Sequence, residues 1–268
     1  MLTRIISALV GAPLIVLFLI VKGNSLYFFA GVLSLVGMYE YYKAIKTTGV
    51  RTIDLVGYLF CIGFYLLQLS FPDAEVFSKL LPIMLLLLFT YEIFTRKSGV
   101  NGIVHTMFGY IYVCYLLAHI IFINNLQNNA VLVWLPFLTA WFTDSAAYFT
   151  GISIGKHKLC PLISPKKTIE GAVGGVLGSI LLTTVFGLIM AGYDDRIGLI
   201  HYIIIGLLCG IFSQLGDLAA SYIKRNTNLK DFGNLIPGHG GILDRFDSIL
   251  FTLPVVYYYF LLVELFNY

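Results

Sequence analysis

Long apolar stretches constrain the fold of this chain more than any motif does. Nine segments of about 20 mostly apolar residues follow one another, and each is long enough to cross a bilayer as a helix. With 59% hydrophobic and 12% charged residues, the composition lies outside the soluble range. The sequence predicts an all-α, polytopic integral membrane protein with about nine transmembrane helices, at about 5–21, 25–45, 53–71, 79–95, 103–123, 130–150, 169–191, 199–220 and 249–267.

The remaining composition narrows the class of protein further. The first apolar segment has no small-x-small cleavage site after it, so it reads as an uncleaved span. The four cysteines stand alone, which indicates neither a disulfide framework nor a thiolate metal site. A net charge of +3 is too small to suggest a nucleic-acid partner. The expected environment is the lipid bilayer.

Basic residues predict the orientation. With nine spans, 14 of the 17 Lys and Arg residues fall on the side of the N-terminus, and only Lys22, Lys79 and Arg196 fall on the other. Because cytoplasmic loops carry the excess of positive charge, we expect a cytoplasmic N-terminus and a cytoplasmic active site at the cell inner (plasma) membrane. The two long polar loops, at about 151–168 and 221–248, lie on that side.

Polarity also divides the chain into two parts. Residues 1–129 have short loops and are predicted to be transmembrane helices for scaffold and lipid contact. Residues 130–268 carry both long polar loops and are predicted to hold the catalytic site.

Two carboxylates lie inside predicted spans of the second part. Asp144 lies a turn or two before the end of the sixth span, and Asp217 lies at the end of the eighth. Charged residues at such depth are rare and usually face a cavity, a partner charge or a metal. Ser213, Asp217 and Ser221 are spaced to share one helical face.

The start of the seventh span resembles an anion site. Lys166 and Lys167 precede a predicted helix N-terminus that Ser164 or Thr168 can cap, with Glu170 in the first turn. Ordinary positive charge at a helix end would give the same pattern.

Overlapping GxxxG spacings follow along the same span, at Gly171, Gly174, Gly175 and Gly178. They predict close helix packing. Membrane chains often pair through such faces, so a homodimer is a further expectation.

The most polar segment runs from Ser221 to Asp247, between two apolar spans. Its bases suit phosphates, its acids suit Mg²⁺, and its glycines let a backbone approach a ligand closely. The bases are Lys224, Arg225, Lys230 and Arg245; the acids are Asp231, Asp244 and Asp247; Gly238, Gly240 and Gly241 surround His239. The combination predicts a metal–polyphosphate substrate.

These residues carry a resemblance to a known family. The segment SYIKRNTNLKDFGNLIPGHGGILDRFD resembles the signature of the phosphatidate cytidylyltransferase (CDP-diacylglycerol synthase) family. A second family region is matched from Trp141, Asp144, Ser145 and Tyr148 through Ser164, Pro165, Lys166, Lys167, Thr168, Glu170 and Gly171. Ile152 departs from the pattern, because relatives often have a basic residue there.

The resemblance implies a Mg²⁺-dependent nucleotidyltransferase of phospholipid biosynthesis that converts CTP and phosphatidate into CDP-diacylglycerol and pyrophosphate. Mg²⁺ is expected on Asp217 and Asp244, with Asp144 or Asp247 as a further ligand. Lys224, Arg225 and Arg245 are expected at the phosphates, as catalytic residues with the two principal acids. Substrate contacts are expected from Ser164, Lys166, Lys167, Thr168, Glu170, Ser221, Lys230, Asp231, His239, Gly240 and Gly241.

Two other functions fit part of the pattern. A CTP-dependent lipid kinase would transfer the γ-phosphate instead of the nucleotide. A secondary transporter would use Asp144 and Asp217 as ion sites, but the sequence has no internal repeat or broken span of the kind transporters show.

Overall fold

Helices make up almost all of the structure. The computed structural model describes residues 2–72, 74–126, 129–191, 197–238 and 240–266. The helices are α1 (Leu2–Val21), α2 (Gly23–Lys46), α3 (Asp54–Ser70), α4 (Glu75–Thr95), α5 (Gly99–Gly109), α6 (Leu116–Asn124), α7 (Asn129–Leu132), α8 (Leu135–Ile154), α9 (Ile169–Met190), α10 (Leu199–Asn226) and α11 (Leu243–Phe266), with a π-helical segment at Tyr110–Tyr115 between α5 and α6.

Each predicted apolar segment is helical, and five helical stretches among the described residues are long and apolar enough to cross a membrane. These stretches are Glu75–Thr95, Gly99–Asn124, Ile169–Met190, Leu199–Asn226 and Leu243–Glu264. The chain is therefore an all-helical membrane protein apart from one hairpin. The sixth predicted segment is interrupted by a turn between α7 and α8.

Several helices extend beyond their predicted ends. Because α8 continues to Ile154, Asp144 lies about three turns before the helix end, farther from that end than predicted. Asp217 likewise lies more than two turns before the end of α10. The predicted loop at 221–248 is correspondingly shorter: only residues 227–242 lie between α10 and α11, and we call them the glycine loop.

The chain divides into two compact units that interleave along the sequence. The first comprises Met1–Asn125 and Lys224–Phe246; the second comprises Leu126–Ile223 and Asp247–Tyr268. The predicted division at 129/130 lies close to the first boundary, but the glycine loop belongs to the first unit.

The first unit has an aromatic core around the π-helical segment. The ring of Phe77 on α4 stacks on Tyr110 and Tyr115, which begin and end that segment. Tyr42 of α2 is fully buried and donates a hydrogen bond of 2.8 Å to the carbonyl of Thr106 on α5. Side chains from α2, α4 and the π-helical segment thus pack together with α5 in the core of the first unit.

In the second unit, α8 and α9 pack along one another through small residues, as the glycine spacing predicts. A methyl group added at Gly171 would lie 2.8 Å from the carbonyl oxygen of Ala147, and one at Gly178 would lie 2.4 Å from the Ala146 Cβ. Helix α9 also meets α10 closely, since a methyl group at Gly210 would lie 3.0 Å from the Val176 Cα. These glycines pack against neighbouring helices of the same chain, so their spacing gives no support to a homodimer.

A short hairpin between α8 and α9 was not predicted. Strands β1 (Lys158–Cys160) and β2 (Ser164–Thr168) pair antiparallel, with Lys158 opposite Thr168 and Cys160 opposite Ser164. The predicted loop at 151–168 is therefore ordered as the end of α8 followed by this hairpin.

Candidate active site

The hairpin places two lysines directly before the N-terminus of α9. Thr168 caps this helix, because its Oγ1 accepts a hydrogen bond of 3.1 Å from the Gly171 N–H. Ser164, the alternative cap, lies instead at the start of β2. Lys166 and Lys167 stand immediately before the cap, where the positive end of the helix dipole adds to their charge.

Glu170 fixes the other end of the hairpin. Its carboxylate accepts a hydrogen bond of 3.0 Å from the Lys156 N–H and lies 2.6 Å from the Nδ1 atom of His157. The first turn of α9 thus holds the chain that leads into β1. Glu170 contacts the protein itself here, and its predicted contact with substrate stays a prediction.

Lys167 and Asp217 form an ion pair. The Lys167 Nζ lies 2.6 Å from an Asp217 carboxylate oxygen, and the two side chains are 24% and 29% exposed. The other Asp217 oxygen accepts a hydrogen bond of 3.3 Å from the Ser221 hydroxyl, so these residues share one helical face as predicted. Since an ammonium group has three donors, Lys167 keeps donors for a further anion.

This pair lies in a cavity of about 430 Å³ within the second unit, which we call the hairpin cavity. The volume falls in the range of small-molecule sites. The cavity contains both intramembrane acids and both lysines found by sequence. Its lining residues are Asp144, Ala147, Tyr148, Gly151, Ile152, Leu159, Lys166, Lys167, Thr168, Gly171, Ala172, Gln214 and Asp217.

The acids of the hairpin cavity fit a divalent cation. Mg²⁺ in nucleotide sites is usually held by one or two carboxylates together with substrate phosphates and water, so a complete protein cage is not needed. Asp144 and Asp217 both line the cavity and offer hard oxygen ligands of this kind. Among the described residues, no three His, Cys, Asp or Glu side chains form a cluster that could hold a metal by themselves.

A second cluster of predicted residues lies in the first unit, around Asp244. Its carboxylate binds the Lys224 ammonium at 2.8 Å and accepts hydrogen bonds from the N–H groups of Phe232 (2.8 Å) and Gly241 (2.9 Å). The Asp244 side chain is only 3% exposed. Lys224 also lies 5.4 Å above the centre of the Phe232 ring, a cation–π contact. These donors occupy most of the acceptor positions of Asp244, and its predicted part as a metal ligand stays a prediction.

Glu40 on α2 belongs to the same cluster and was missed by the sequence analysis. It is 3% exposed and accepts hydrogen bonds from the N–H groups of Ile242 (3.0 Å) and Leu243 (2.9 Å) at the start of α11. The sequence contains a signal for this residue, because Glu40 is an acid within a predicted span. The same property identified Asp144 and Asp217 as candidates.

The glycines of the glycine loop make room for these carboxylates. A methyl group added at Gly241 would lie 2.3 Å from a Glu40 oxygen, and one at Gly240 would lie 2.8 Å from an Asp244 oxygen. Gly238 and Gly240 also have positive φ angles of 78° and 86°, where other residues are strained. Glycine therefore stands at positions 240 and 241 because another group approaches the backbone closely there, as predicted. The approaching groups are carboxylates of the protein and not a ligand.

The remaining predicted site residues are placed as follows. Arg225 in the last turn of α10 and Arg245 in the first turn of α11 are exposed, as are Lys230 and Asp231 in the glycine loop. Asp247 on α11 accepts a hydrogen bond of 2.8 Å from the Ser248 N–H. His239 and Arg196 lie outside the described residues.

Comparison with known proteins finds relatives over nearly the whole chain. The family model described as the Cytidylyltransferase family matches residues 2–263. The phosphatidate cytidylyltransferase of Bacillus subtilis (strain 168) is 37% identical over 265 residues, covering 95% of this chain and 96% of the relative. Those of Staphylococcus haemolyticus and Staphylococcus aureus (strain COL) are each 32% identical, covering 95% of both chains. The chain belongs to the cytidylyltransferase family.

Proposed function

We propose that this enzyme is a phosphatidate cytidylyltransferase, which transfers CMP from CTP to phosphatidate and releases pyrophosphate. The relatives of that name support the reaction at 32–37% identity along the chain. The observation that carries the proposal in the structure is the hairpin cavity, in which two lysines at a helix N-terminus face two carboxylates.

The reaction needs charge neutralisation more than it needs a base. An oxygen of the phosphatidate phosphate attacks the α-phosphorus of CTP, and the bond from that phosphorus to the oxygen of the β-phosphate breaks. The electron pair of that bond leaves with pyrophosphate. The nucleophile is already ionised at neutral pH, so the barrier comes from bringing two anions together.

Lys166, Lys167 and the N-terminus of α9 supply the positive potential for this encounter. Lys167 is held by Asp217, which fixes the ammonium position before a substrate arrives and lowers the reorganisation needed. Thr168 fixes the helix start beneath them.

Asp144 and Asp217 would hold Mg²⁺ in the hairpin cavity. Bound there with the nucleotide, the metal would neutralise phosphate charge and favour departure of pyrophosphate. Asp247 stays a further candidate ligand. For Asp244 we propose a different part, as the residue that orders the glycine loop, because its oxygens already accept three hydrogen bonds.

The proposed membrane arrangement follows the sequence. The chain crosses the plasma membrane about nine times with a cytoplasmic N-terminus, and the active site faces the cytoplasm. The excess of Lys and Arg on one side of the nine segments supports this orientation.

The test uses purified protein with phosphatidate and CTP labelled on either the α- or the γ-phosphate. We expect label in lipid only from α-labelled CTP, and only with Mg²⁺ present. Lipid labelled from γ-labelled CTP would instead identify the lipid kinase and refute the proposal.

The metal ligands are tested in the same assay. Asp217→Asn should lower kcat at saturating Mg²⁺ by at least about a hundredfold, since one charged ligand and the Lys167 partner are lost together. Glu264→Gln, a substitution on α11, which contributes no residue to the cavity lining, is the matched control and should keep normal turnover. Near-normal turnover of Asp217→Asn would show that the metal assignment is wrong.

A further inference from the structure

A second concavity adjoins the hairpin cavity and has a different character. This α9–α10 groove has a volume of about 380 Å³ and is lined mainly by aliphatic side chains of the two helices, with Leu159 of β1 at one end. The one polar residue along it, Gln214, uses its amide nitrogen for hydrogen bonds to the carbonyls of Ala172 (3.0 Å) and Gly210 (2.9 Å). The groove is therefore apolar throughout.

The groove and the hairpin cavity adjoin one another. Leu159, Ala172 and Gln214 line both. From this shared end the groove follows α9 toward Leu177 and α10 back toward Ile211, away from the lysines. Both helices are long and apolar enough to cross a membrane, so the groove leads from a charged cavity into the apolar part of the second unit.

We infer that the α9–α10 groove binds one acyl chain of phosphatidate while the phosphate of the same lipid lies in the hairpin cavity. The inference rests on the proposed function and adds a site for the apolar half of that substrate. Its support is that an apolar groove adjoins a cavity that holds two lysines, which matches a molecule that has a phosphate at one end and alkyl chains at the other.

The length of the groove sets how much of the chain it holds. Along α10 it runs from Leu218 to Ile211, about 10 Å at 1.5 Å per residue. Three bonds of an extended chain span about 3.6 Å, so about eight chain carbons fit between the shared end and the far end. The far end therefore separates short acyl chains from long ones.

The experiment narrows the far end and compares two substrates. Leu177→Trp and Ile211→Trp are assayed with α-labelled CTP and either dihexanoyl or dipalmitoyl phosphatidate in mixed micelles. We expect the ratio of kcat/KM for the long substrate to that for the short one to fall about tenfold or more, because overfilled packing excludes the longer chain. Leu181→Trp, one turn farther along α9 and not among the residues that line the groove, is the matched control and should keep the wild-type ratio.

An unchanged ratio in both variants would overturn the inference, and so would an equal fall in the control. Absence of labelled lipid with either substrate in the wild-type protein would instead contradict the proposed function. If a tryptophan variant does not fold, the inference is tested by a second measurement that uses the wild-type protein.

That measurement uses phosphatidate with a photoactivatable diazirine near the eighth carbon of one chain. Crosslinks should map to α9 and α10 around Leu177 and Ile211 and persist in excess phosphatidylcholine. Crosslinks that map elsewhere, or that excess phosphatidylcholine dilutes away, would show that the groove holds bulk lipid and overturn the inference.

Discussion

Two buried carboxylates hold the start of α11. An isolated helix leaves its first four N–H groups without partners, and burial makes each of them costly. Glu40 accepts hydrogen bonds from Ile242 and Leu243, while Asp244 accepts one from Gly241. The two acids thus bind the N–H groups of Leu243 and of the two residues before it, and their negative charge suits the helix dipole.

At the scale of single residues, the sequence identified side chains of the site better than it identified which of them contact one another. Lys224 and Asp244 were both selected as site residues, but their contact with each other was not foreseen. Pairing depends on tertiary structure, and a motif read along the chain gives no distance across a fold. Glu40 shows this most clearly, because it lies 202 residues from Ile242.

Replacing Glu40 by Gln should destabilise the protein. An amide keeps one acceptor oxygen but turns a donor NH₂ toward a backbone N–H, which leaves a buried group unsatisfied. We expect a loss of about 1–3 kcal/mol in the free energy of unfolding, measured as a lower melting temperature in detergent.

Glu92→Gln is the matched control for this substitution. Glu92 also accepts two backbone hydrogen bonds at a helix start, from Ser98 (3.0 Å) and Gly99 (2.8 Å), but it is only partly buried. Water can replace its lost hydrogen bond, so its effect should be smaller. Equal melting temperatures for Glu40→Gln and the wild type would show that the buried hydrogen bonds of Glu40 do not stabilise the protein as proposed.

Among the elements, the pair of α8 and α9 was the most predictable. Glycines spaced four apart place small residues on one helical face, and the structure confirms that this face packs closely. The hairpin beside it was not predicted, because strands of three and five residues are too short to show an alternating pattern. Pairing and capping contacts, which the sequence does not display, hold it in place.

Gly171→Ala tests the packing of this helix pair. The added methyl group would meet the backbone of α8, at 2.8 Å from the Ala147 oxygen and 3.2 Å from the Gly151 Cα. Backbone cannot move aside as a flexible side chain can, so we expect a destabilisation of about 1–3 kcal/mol, seen as a lower melting temperature.

Gly63→Ala on α3 provides the comparison. No atom lies within 4 Å of a methyl group added there, and Ala favours a helix over Gly by about 1 kcal/mol. This variant should therefore melt at the same temperature as the wild type or higher. If both variants behaved alike, close contact of α8 and α9 would not be the cause.

For the whole molecule, length and hydropathy predicted the helices but not their grouping. Each predicted segment is helical because an apolar stretch of this length can satisfy its backbone in lipid only as a helix. The grouping into interleaved units depends on contacts between distant segments, since residues 224–246 join the first unit late in the sequence.

The orientation is tested with single cysteines at the two ends of α4. In a variant whose four native cysteines are replaced by serine, Lys79→Cys should react with an impermeant maleimide in intact cells. Lys97→Cys should react only in inverted vesicles, because the proposed arrangement of nine spans would place it in the cytoplasm. Both native lysines are exposed, so the sites are reachable. The opposite labelling pattern would invert the proposed topology.

The long separation between Glu40 and its partners has a consequence for biosynthesis. Helix α2 leaves the ribosome early, whereas Ile242 and Leu243 are made about 200 residues later. At about 5–20 residues per second, the carboxylate waits roughly 10–40 s for the N–H groups that satisfy it. During that interval the Glu40 carboxylate of the nascent first unit lacks both of these donors, so the first unit completes its buried hydrogen bonds only after the glycine loop is made.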